Sequence, residues 1–151
     1  AAEEHPLLRH LGIEPLEAEF SGSFLHRASR KRKMAIKQFL MNQRMVVGVG
    51  NIYASESLFR AGIRPTVQAG KLSRARCDVL ANAVVETLLD SLRAGGSSLR
   101  DYVQSNGDSG GYQLQTFVYA RAGEPCRVCS SPVRELRQGQ RSSFYCPECQ
   151  K

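Results

Sequence analysis

The stretch "MVVGVGNIYASESLF" (Met45–Phe59) sets two glycines and an asparagine between a short apolar run and a segment of helical character. Glycines just before a helix are places where a backbone often holds a phosphate, because the first N–H groups of a helix lack intrahelical partners and sit at its positive end. Gly48-Val49-Gly50 begins like a dinucleotide fingerprint, yet Tyr53 stands where that motif needs its third glycine, and no Gly-Lys-Ser/Thr follows for a P-loop. A mononucleotide site is set aside. Two readings stay open: a plain helix cap, or a site that takes one phosphate at a time. In both, Gly48 and Gly50 allow a tight turn and Asn51 is the N-cap of a helix over Ile52–Ala61, which stops at Gly62 with Pro65 beyond.

The charge around this stretch is one-sided. Between Ser21 and Ser55 stand seven Lys or Arg (Arg27, Arg30, Lys31, Arg32, Lys33, Lys37, Arg44) and no Asp or Glu, an excess equal to the +7 of the whole chain. A concentrated positive field favours a polyanion, since each neutralised phosphate releases condensed counterions; a solvated basic face and a membrane-surface patch are the alternatives. Ala35, Ile36, Phe39 and Leu40 recur at helical spacing within the window, so it is no floppy tail. The chain is 42% hydrophobic and 23% charged, which fits neither a disordered nor a membrane class. No apolar run approaches the roughly 20 residues of a spanning helix, and "AAEEHPLLRH" lacks the charged and apolar regions of a signal peptide. The expectation is a soluble intracellular protein, and the loop-like opening without Met suggests a piece of something longer.

Composition divides the chain in two, at residues 1–112 and 113–151. The first part is helix-rich. Short helices are expected at Pro15–Phe20, Ser23–Arg30 and Met34–Met41, and a long one from Arg74 to Arg93. Ser73 caps the long helix, Val79, Leu80, Ala83, Val84, Thr87, Leu88 and Leu92 keep a period of about 3.6, and Gly95-Gly96 stops it. Cys77 within it reads as a buried small side chain rather than a nucleophile. Ser97–Val103 reads as a further helical turn or two, Gln104–Gln115 as a loop or linker, and Leu114–Tyr119 as a strand.

The second part carries Cys126-x2-Cys129, sixteen intervening residues, then Cys146-x2-Cys149. Two such knuckles match a tetrathiolate zinc site, in which each pair gives two sulfurs about one turn apart and Zn²⁺ accepts a tetrahedron. Between them Val133 and Leu136 mark one strand, Gln138-Gly139-Gln140 a turn, and Phe144 and Tyr145 a returning strand. Disulfides do not suit a chain with five cysteines and an intracellular character, and a redox pair explains only one of the two knuckles. With four cysteine ligands the single zinc has no open position and is structural. So small a module has little core of its own, and ligation supplies much of its folding energy. Arg134, Arg137 and Arg141 edge the hairpin, either as a phosphate clamp or as a solvated face. The fold class is therefore mainly α with a small β module.

These residues resemble a known family. "IKQFLMNQRMVVGVGNIYASESLFRAGIRP" (Ile36–Pro65) is similar to the helix–two-turn–helix of bacterial formamidopyrimidine-DNA glycosylases, and "GEPCRVCSSPVRELRQGQRSSFYCPECQK" (Gly123–Lys151) to their C-terminal zinc finger. "HPLLRHLGIEPL" and "AGGSSLRDYVQSNG" fall before and between them in the expected order, so the resemblance covers essentially the whole chain. It implies that Asn51, with Gly50 beside it, hydrogen-bonds the DNA backbone next to a lesion, that Lys37 approaches phosphate, and that Arg141 at the hairpin tip holds the phosphates flanking a flipped nucleotide. It implies zinc ligation by Cys126, Cys129, Cys146 and Cys149.

The family excises oxidised purines such as 8-oxoguanine and formamidopyrimidines from duplex DNA and then cleaves the strand by elimination. Its nucleophile is an N-terminal proline amine that forms a Schiff base, with an adjacent glutamate assisting, and the target base leaves the stack. Neither Pro6 nor Pro15 has a free amine, and Glu3 and Glu4 lack the required context. No catalytic residue is therefore assigned in this chain. It is expected to be the DNA-binding half of a base-excision-repair enzyme, a monomer working with an N-terminal catalytic domain of the same protein in the bacterial cytoplasm at the nucleoid. The segment Asn106–Gln115 departs from the family's Gly-x-x-Gly-Tyr-Phe pattern, so no base contact is carried over to it. Two other readings remain: a zinc-ribbon nucleic-acid or protein-interaction module without repair activity, and a self-sufficient lyase using a lysine such as Lys37.

Overall fold

The computed structural model describes residues 15–17, 19–42, 46, 49–95 and 116–151. Helix α1 (Gly22–Ser29) opens at Ser21, whose hydroxyl accepts from Phe24 N at 3.1 Å. The chain then turns through Lys31, which holds a left-handed φ of 64°, and enters α2 (Ile36–Met41). Met34 and Ala35, expected in that helix, instead lie alongside the segment that follows α3 (Asn51–Ala61). Ile36 N donates to Val67 O at 2.6 Å, Ala69 N to Met34 O at 2.9 Å and Gly70 N to Arg32 O at 2.9 Å. These cross-chain partners compete successfully with the first turn of a helix, and α2 starts later for that reason.

Helix α3 ends at Gly62, which takes a φ of 73° and donates back to Leu58 and Phe59 carbonyls. This is the left-handed position that ends many helices and that a side chain makes costly. Helix α4 (Arg74–Gly95) begins where Ser73 Oγ accepts from Arg76 N at 3.1 Å, as the sequence predicted. It packs along both α1 and α3. Its buried face runs through Cys77, Leu80, Ala81, Val84, Leu88 and Ser91. Val79 was expected on that face and is instead 50% exposed. With 3.6 residues to the turn it lies about 140° round the helix from Val84, beyond the reach of α1 and α3.

One apolar cluster joins these helices through Leu25, Ile36, Phe39, Leu40, Tyr53, Leu58, Leu80 and Leu88. Burying each large side chain there contributes on the order of 1.5–3 kcal/mol. Helix α3 is the pivot, because every residue from Asn51 to Phe59 is buried. Two of its polar members, Asn51 and Glu56, find partners in the second module, while Tyr53 bonds Ser91 of α4.

That module is an antiparallel hairpin of β1 (Arg134–Gln138) and β2 (Arg141–Tyr145). Gln138 pairs with Arg141 across a two-residue turn in which Gly139 has a φ of 64°. A second apolar cluster gathers Val118, Cys126, Val133, Phe144 and Cys146 around Phe59, a residue of α3. Phe59 stacks on Phe117 with centroids 5.0 Å apart. The finger therefore borrows part of its core from the helical module.

Two expected elements are corrected. Pro15–Phe20 is no helix where it is described: a turn closes with Phe20 N donating to Glu17 O at 3.1 Å. Thr116–Tyr119, in the expected Leu114–Tyr119 strand, forms turns. The N–H groups of Phe117, Val118 and Tyr119 that a sheet would use all point at the Glu56 carboxylate on α3, at 2.6, 2.9 and 2.9 Å. The expected elements at Ser97–Val103 and Gln104–Gln115, and the residues Gly48, Arg44, Pro6, Glu3 and Glu4, lie outside the described residues.

Candidate nucleic-acid interface and metal centre

Asn51, Lys37 and Arg141 come from three elements: Lys37 and Arg141 line one groove, and Asn51 lies beside it, bonded to Lys37. Asn51 is not the N-cap expected from the sequence. Gly50 holds that position with φ −89° and ψ −174°, extended backbone that any residue adopts, and Asn51 is the first residue of α3. The correction matters, because the Asn51 side chain is released from capping. Its Oδ1 accepts from Lys37 Nζ, and its Nδ2 donates to Ser142 O at 3.1 Å. Lysine has no acceptor, so the amide orientation is fixed by its neighbour. Lys37 Nζ also reaches Ser142 O at 3.4 Å. The first intrahelical bond of α3 runs from Ala54 N to Gly50 O, so the N–H groups of Asn51 and Ile52 precede the ladder at the positive end of the helix.

Lys37 is buried to 1% exposure, which is unusual for a lysine. Burial pushes its pKa from 10.5 down to about 8, and the like charge of Arg141 pushes the same way. Arg141 itself is exposed at the start of β2. Between the two cations lies a groove of about 320 Å³, walled by Lys37, Gln38 and Met41 of α2 and by the hairpin tip from Gln138 to Arg141. Two cations held side by side over an open groove repel each other, and an anion seated between them relieves that repulsion. Phosphate is an anion that such a pair suits.

The metal centre is assembled by the two knuckles. The sulfurs of Cys126, Cys129, Cys146 and Cys149 all lie within 4.8 Å of one another, with Cys126–Cys149 at 3.8 Å and Cys129–Cys146 at 3.4 Å. A tetrahedron with Zn–S bonds of about 2.3 Å has edges of about 3.8 Å, so the thiols fit one zinc ion. Val128 N donates to the Cys126 sulfur and Cys149 N to the Cys146 sulfur, each at 3.4 Å, which favours thiolates. Ser131, through its backbone N–H and hydroxyl, draws Cys129 down to about 6, whereas burial pushes Cys146 and Cys149 up. Cys77 stands apart, fully buried in α4, with its thiol pushed up by burial.

The finger is held to the helices by a polar seam that the sequence did not disclose. Arg64 donates to Gln150 O at 2.9 Å and to Pro147 O at 2.7 Å, and stacks over the Tyr145 ring. Gln150 is completely buried; its amide donates to Ile63 O at 2.8 Å and accepts from Cys146 N at 2.7 Å. Lys151 N donates to Gly62 O at 2.8 Å. Glu56 adds its three bonds to the stretch that leads into the knuckles. The signal available for Glu56 was that it is the lone carboxylate of α3.

Similarity to known proteins agrees with this arrangement. Residues 11–103 match the family model described as the formamidopyrimidine-DNA glycosylase H2TH domain, and residues 123–151 match the zinc finger found in FPG and IleRS. The chain is 64% identical over 146 residues to the formamidopyrimidine-DNA glycosylase of Cupriavidus pinatubonensis, covering 97% of this chain and 51% of that protein. It is 60% identical to that of Paraburkholderia phymatum, covering 98% and 54%. Among solved structures, the MutM (FPG) protein of Thermus thermophilus superposes with a TM-score of 0.80 at 39% identity, over 98% of this chain and 56% of that one. The Lactococcus lactis FPG in complex with FAPY-dG-containing DNA superposes at 0.81 with 30% identity, over 96% and 52%. The chain thus spans about half the length of the relatives it matches.

Proposed function

The chain belongs to the formamidopyrimidine-DNA glycosylase family, and on that premise we propose that it is the DNA-gripping half of a base-excision-repair glycosylase and AP lyase acting on oxidised purines in duplex DNA. The observation that carries the reading is the pairing of buried Lys37 with exposed Arg141 across one groove, with Asn51 locked between Lys37 and the hairpin backbone. One DNA strand running through that groove meets Arg141 from the finger and Lys37 and Asn51 from the helical module. Its phosphates are held in a bent path while the base beside them leaves the stack. The helical module and the zinc finger, divided near residues 112 and 113, thus act as two jaws closed by the polar seam.

The chemistry itself is placed outside this chain. The relatives are about twice as long as the stretch they share with it, and the reading assigns the nucleophilic amine and the assisting carboxylate to an N-terminal catalytic domain. None of the residues lining the groove is assigned a covalent role. The whole enzyme is read as a monomer at the bacterial nucleoid; no helix among the described residues is long and apolar enough to cross a membrane.

Two experiments test this. Duplexes containing an abasic-site analogue or 8-oxoguanine are titrated with the zinc-loaded chain and with Asn51→Ala. A loss of about tenfold or more is expected, since hydrogen bonds to charged groups contribute about 1.5–3 kcal/mol. Unchanged binding would overturn the role assigned to Asn51 in gripping DNA. Borohydride is then added to the chain on abasic DNA. No covalent adduct is expected, and a trapped adduct lost in Lys37→Ala would assign the lyase chemistry to this half.

A further inference from the structure

Four consecutive residues after α3 each bond the finger. Gly62 O accepts from Lys151 N and Ile63 O from Gln150 Nε2, both at 2.8 Å, and Arg64 donates to Gln150 O and Pro147 O. These three hold the knuckle end. The fourth differs: Pro65 O accepts from Gln138 Nε2 at 3.2 Å, and Gln138 stands at the hairpin tip, paired across the turn with Arg141. We propose that Gln138 is a positioning residue, which tethers the hairpin tip to Pro65 and thereby sets how far Arg141 stands from Lys37; the proposal rests on the DNA-binding reading above.

Three features of the geometry support it. First, one carbonyl serves both sides of the groove. Pro65 O also accepts from the main-chain N of Lys37 at 3.4 Å. The residue that carries one cation and the cross-strand partner of the other therefore meet on a single oxygen. Movement of the tip away from α2 has to stretch one of those two bonds.

Second, the amide of Gln138 is held at both ends. Its Oε1 accepts from the hydroxyl of Ser143, a completely buried residue on β2, and its Nε2 is thereby turned to Pro65. Gln138 itself is only half-buried, so water was open to it as an alternative partner. A binding pair keeps its spacing through supports of this kind, whose own orientation is locked by a neighbour.

Third, Arg141 depends on its backbone for its place. Among the described residues no ion pair fixes its guanidinium, whereas Arg60, Arg74, Arg93 and Arg121 each have a carboxylate. Its backbone is anchored on two sides. Ser142 O, just after it, receives Asn51 and Lys37, and Gln138, just across the turn, is fixed to Pro65. Without the second anchor the turn is free to pivot about the first.

Lys37 reports the spacing without DNA. Burial and then the like charge of Arg141 lower its pKa, and the other side chains of the groove, Gln38, Met41, Gln138 and Gln140, are uncharged. The Lys37 ammonium is followed by NMR across pH in the zinc-loaded chain, in Gln138→Met, in Arg141→Gln and in the double variant. Gln138→Met keeps the length of the side chain and removes both bonds. With the tip released, the midpoint should rise from about 8 towards 10.5. It should rise no further where Arg141→Gln is already present, because the tether acts through Arg141. Affinity for a duplex with an abasic-site analogue should fall about threefold or more in Gln138→Met, again with no added loss in the Arg141→Gln background. An unchanged midpoint or an unchanged affinity in Gln138→Met overturns the proposal. So does an equal shift with and without Arg141, which assigns the effect to the burial of Lys37. Gln138→Asn, whose amide is one methylene short of Pro65, carries the same test if the Met variant loses zinc. Because the midpoint is read without DNA, the two readings separate. The expected shifts in chains that bind no duplex remove the DNA-binding reading and leave the tether, whereas wild-type binding with an unshifted midpoint in Gln138→Met removes only the tether.

Discussion

The side-chain amide of Asn51 donates to the main-chain carbonyl of Ser142 at 3.1 Å, joining the first residue of α3 to strand β2. The same carbonyl receives Lys37 Nζ at 3.4 Å. One oxygen of the finger thus fixes two side chains of the helical module, and the groove's geometry depends on the hairpin staying in place. In the proposed reading, phosphate binding and docking of the finger depend on the same joint.

Asn51→Asp separates these two roles. A carboxylate in that position still accepts from Lys37, now as an ion pair, so the fold tolerates it better than Asn51→Ala. It also loses the donor to Ser142 and sets a negative charge where a phosphate would sit. The expected outcome is a thermal midpoint at or above that of Asn51→Ala with DNA affinity below it. Melting curves beside anisotropy titrations check this, and an Asp variant that binds DNA better than the Ala variant refutes the assigned position of the phosphate.

Lys37 gives binding and stability opposite pH dependences. Its folded pKa of about 8 lies below the ordinary lysine value of 10.5, so between these values the unfolded chain binds more protons than the folded one. Its contribution to stability is then fully present above 10.5 and is lost as pH falls through about 8. DNA affinity runs the other way, because only the protonated amine attracts phosphate. Affinity should fall as pH rises through about 8, while Lys37→Gln removes that dependence. A wild-type pH profile in the variant would locate the titrating group elsewhere.

Glu56 is satisfied only as a carboxylate acceptor. One oxygen takes Phe117 N at 2.6 Å and the other takes Val118 N and Tyr119 N, both at 2.9 Å. In Glu56→Gln one end of the side chain becomes a donor, and whichever way it turns it faces at least one N–H with another. Leaving a buried donor unmet costs about 1–3 kcal/mol. Urea unfolding should register that loss while zinc content stays the same. Unchanged stability would mean that these backbone groups find another acceptor.

What the sequence disclosed and withheld follows from where each partner lies. The knuckles, the hairpin turn at Gly139, the Gly62 stop and the Ser73 cap are local, so spacing and turn chemistry sufficed. Lys37, Asn51 and Arg141 were named through resemblance, and the groove between Lys37 and Arg141, with Asn51 bonded to Lys37 beside it, required the fold. The failures share one cause. Thr116–Tyr119 resembled a strand, but its backbone donors had a partner on α3; Met34 and Ala35 resembled helix, but Ala69 N took the Met34 carbonyl and Val67 O the Ile36 N–H. Val79 fitted the apolar period, but among the described residues it stays half exposed on its side of α4. Asn51 resembled a cap, but Lys37 and Ser142 compete for its amide.

Zinc removal should unfold the protein in a definite order. The finger's own apolar cluster is small and includes two of the metal's ligands, Cys126 and Cys146. Without the ion its four thiols have nothing to converge on, and structural zinc accounts for about 10–16 kcal/mol at neutral pH in small finger peptides. The helical cluster contains none of the four and is built by residues of α1 to α4 and the segments between them. Chelation should therefore expose backbone amides from Cys126 to Gln150 to exchange first, while those of α4 remain protected. Phe59 then loses its cover on one face, so α3 should show partial loss at its C-terminal end. Hydrogen exchange read by mass spectrometry distinguishes this from a single cooperative collapse. Simultaneous loss of protection in α4 and the hairpin would show that the seam through Glu56, Arg64 and Gln150 makes the two modules one folding unit.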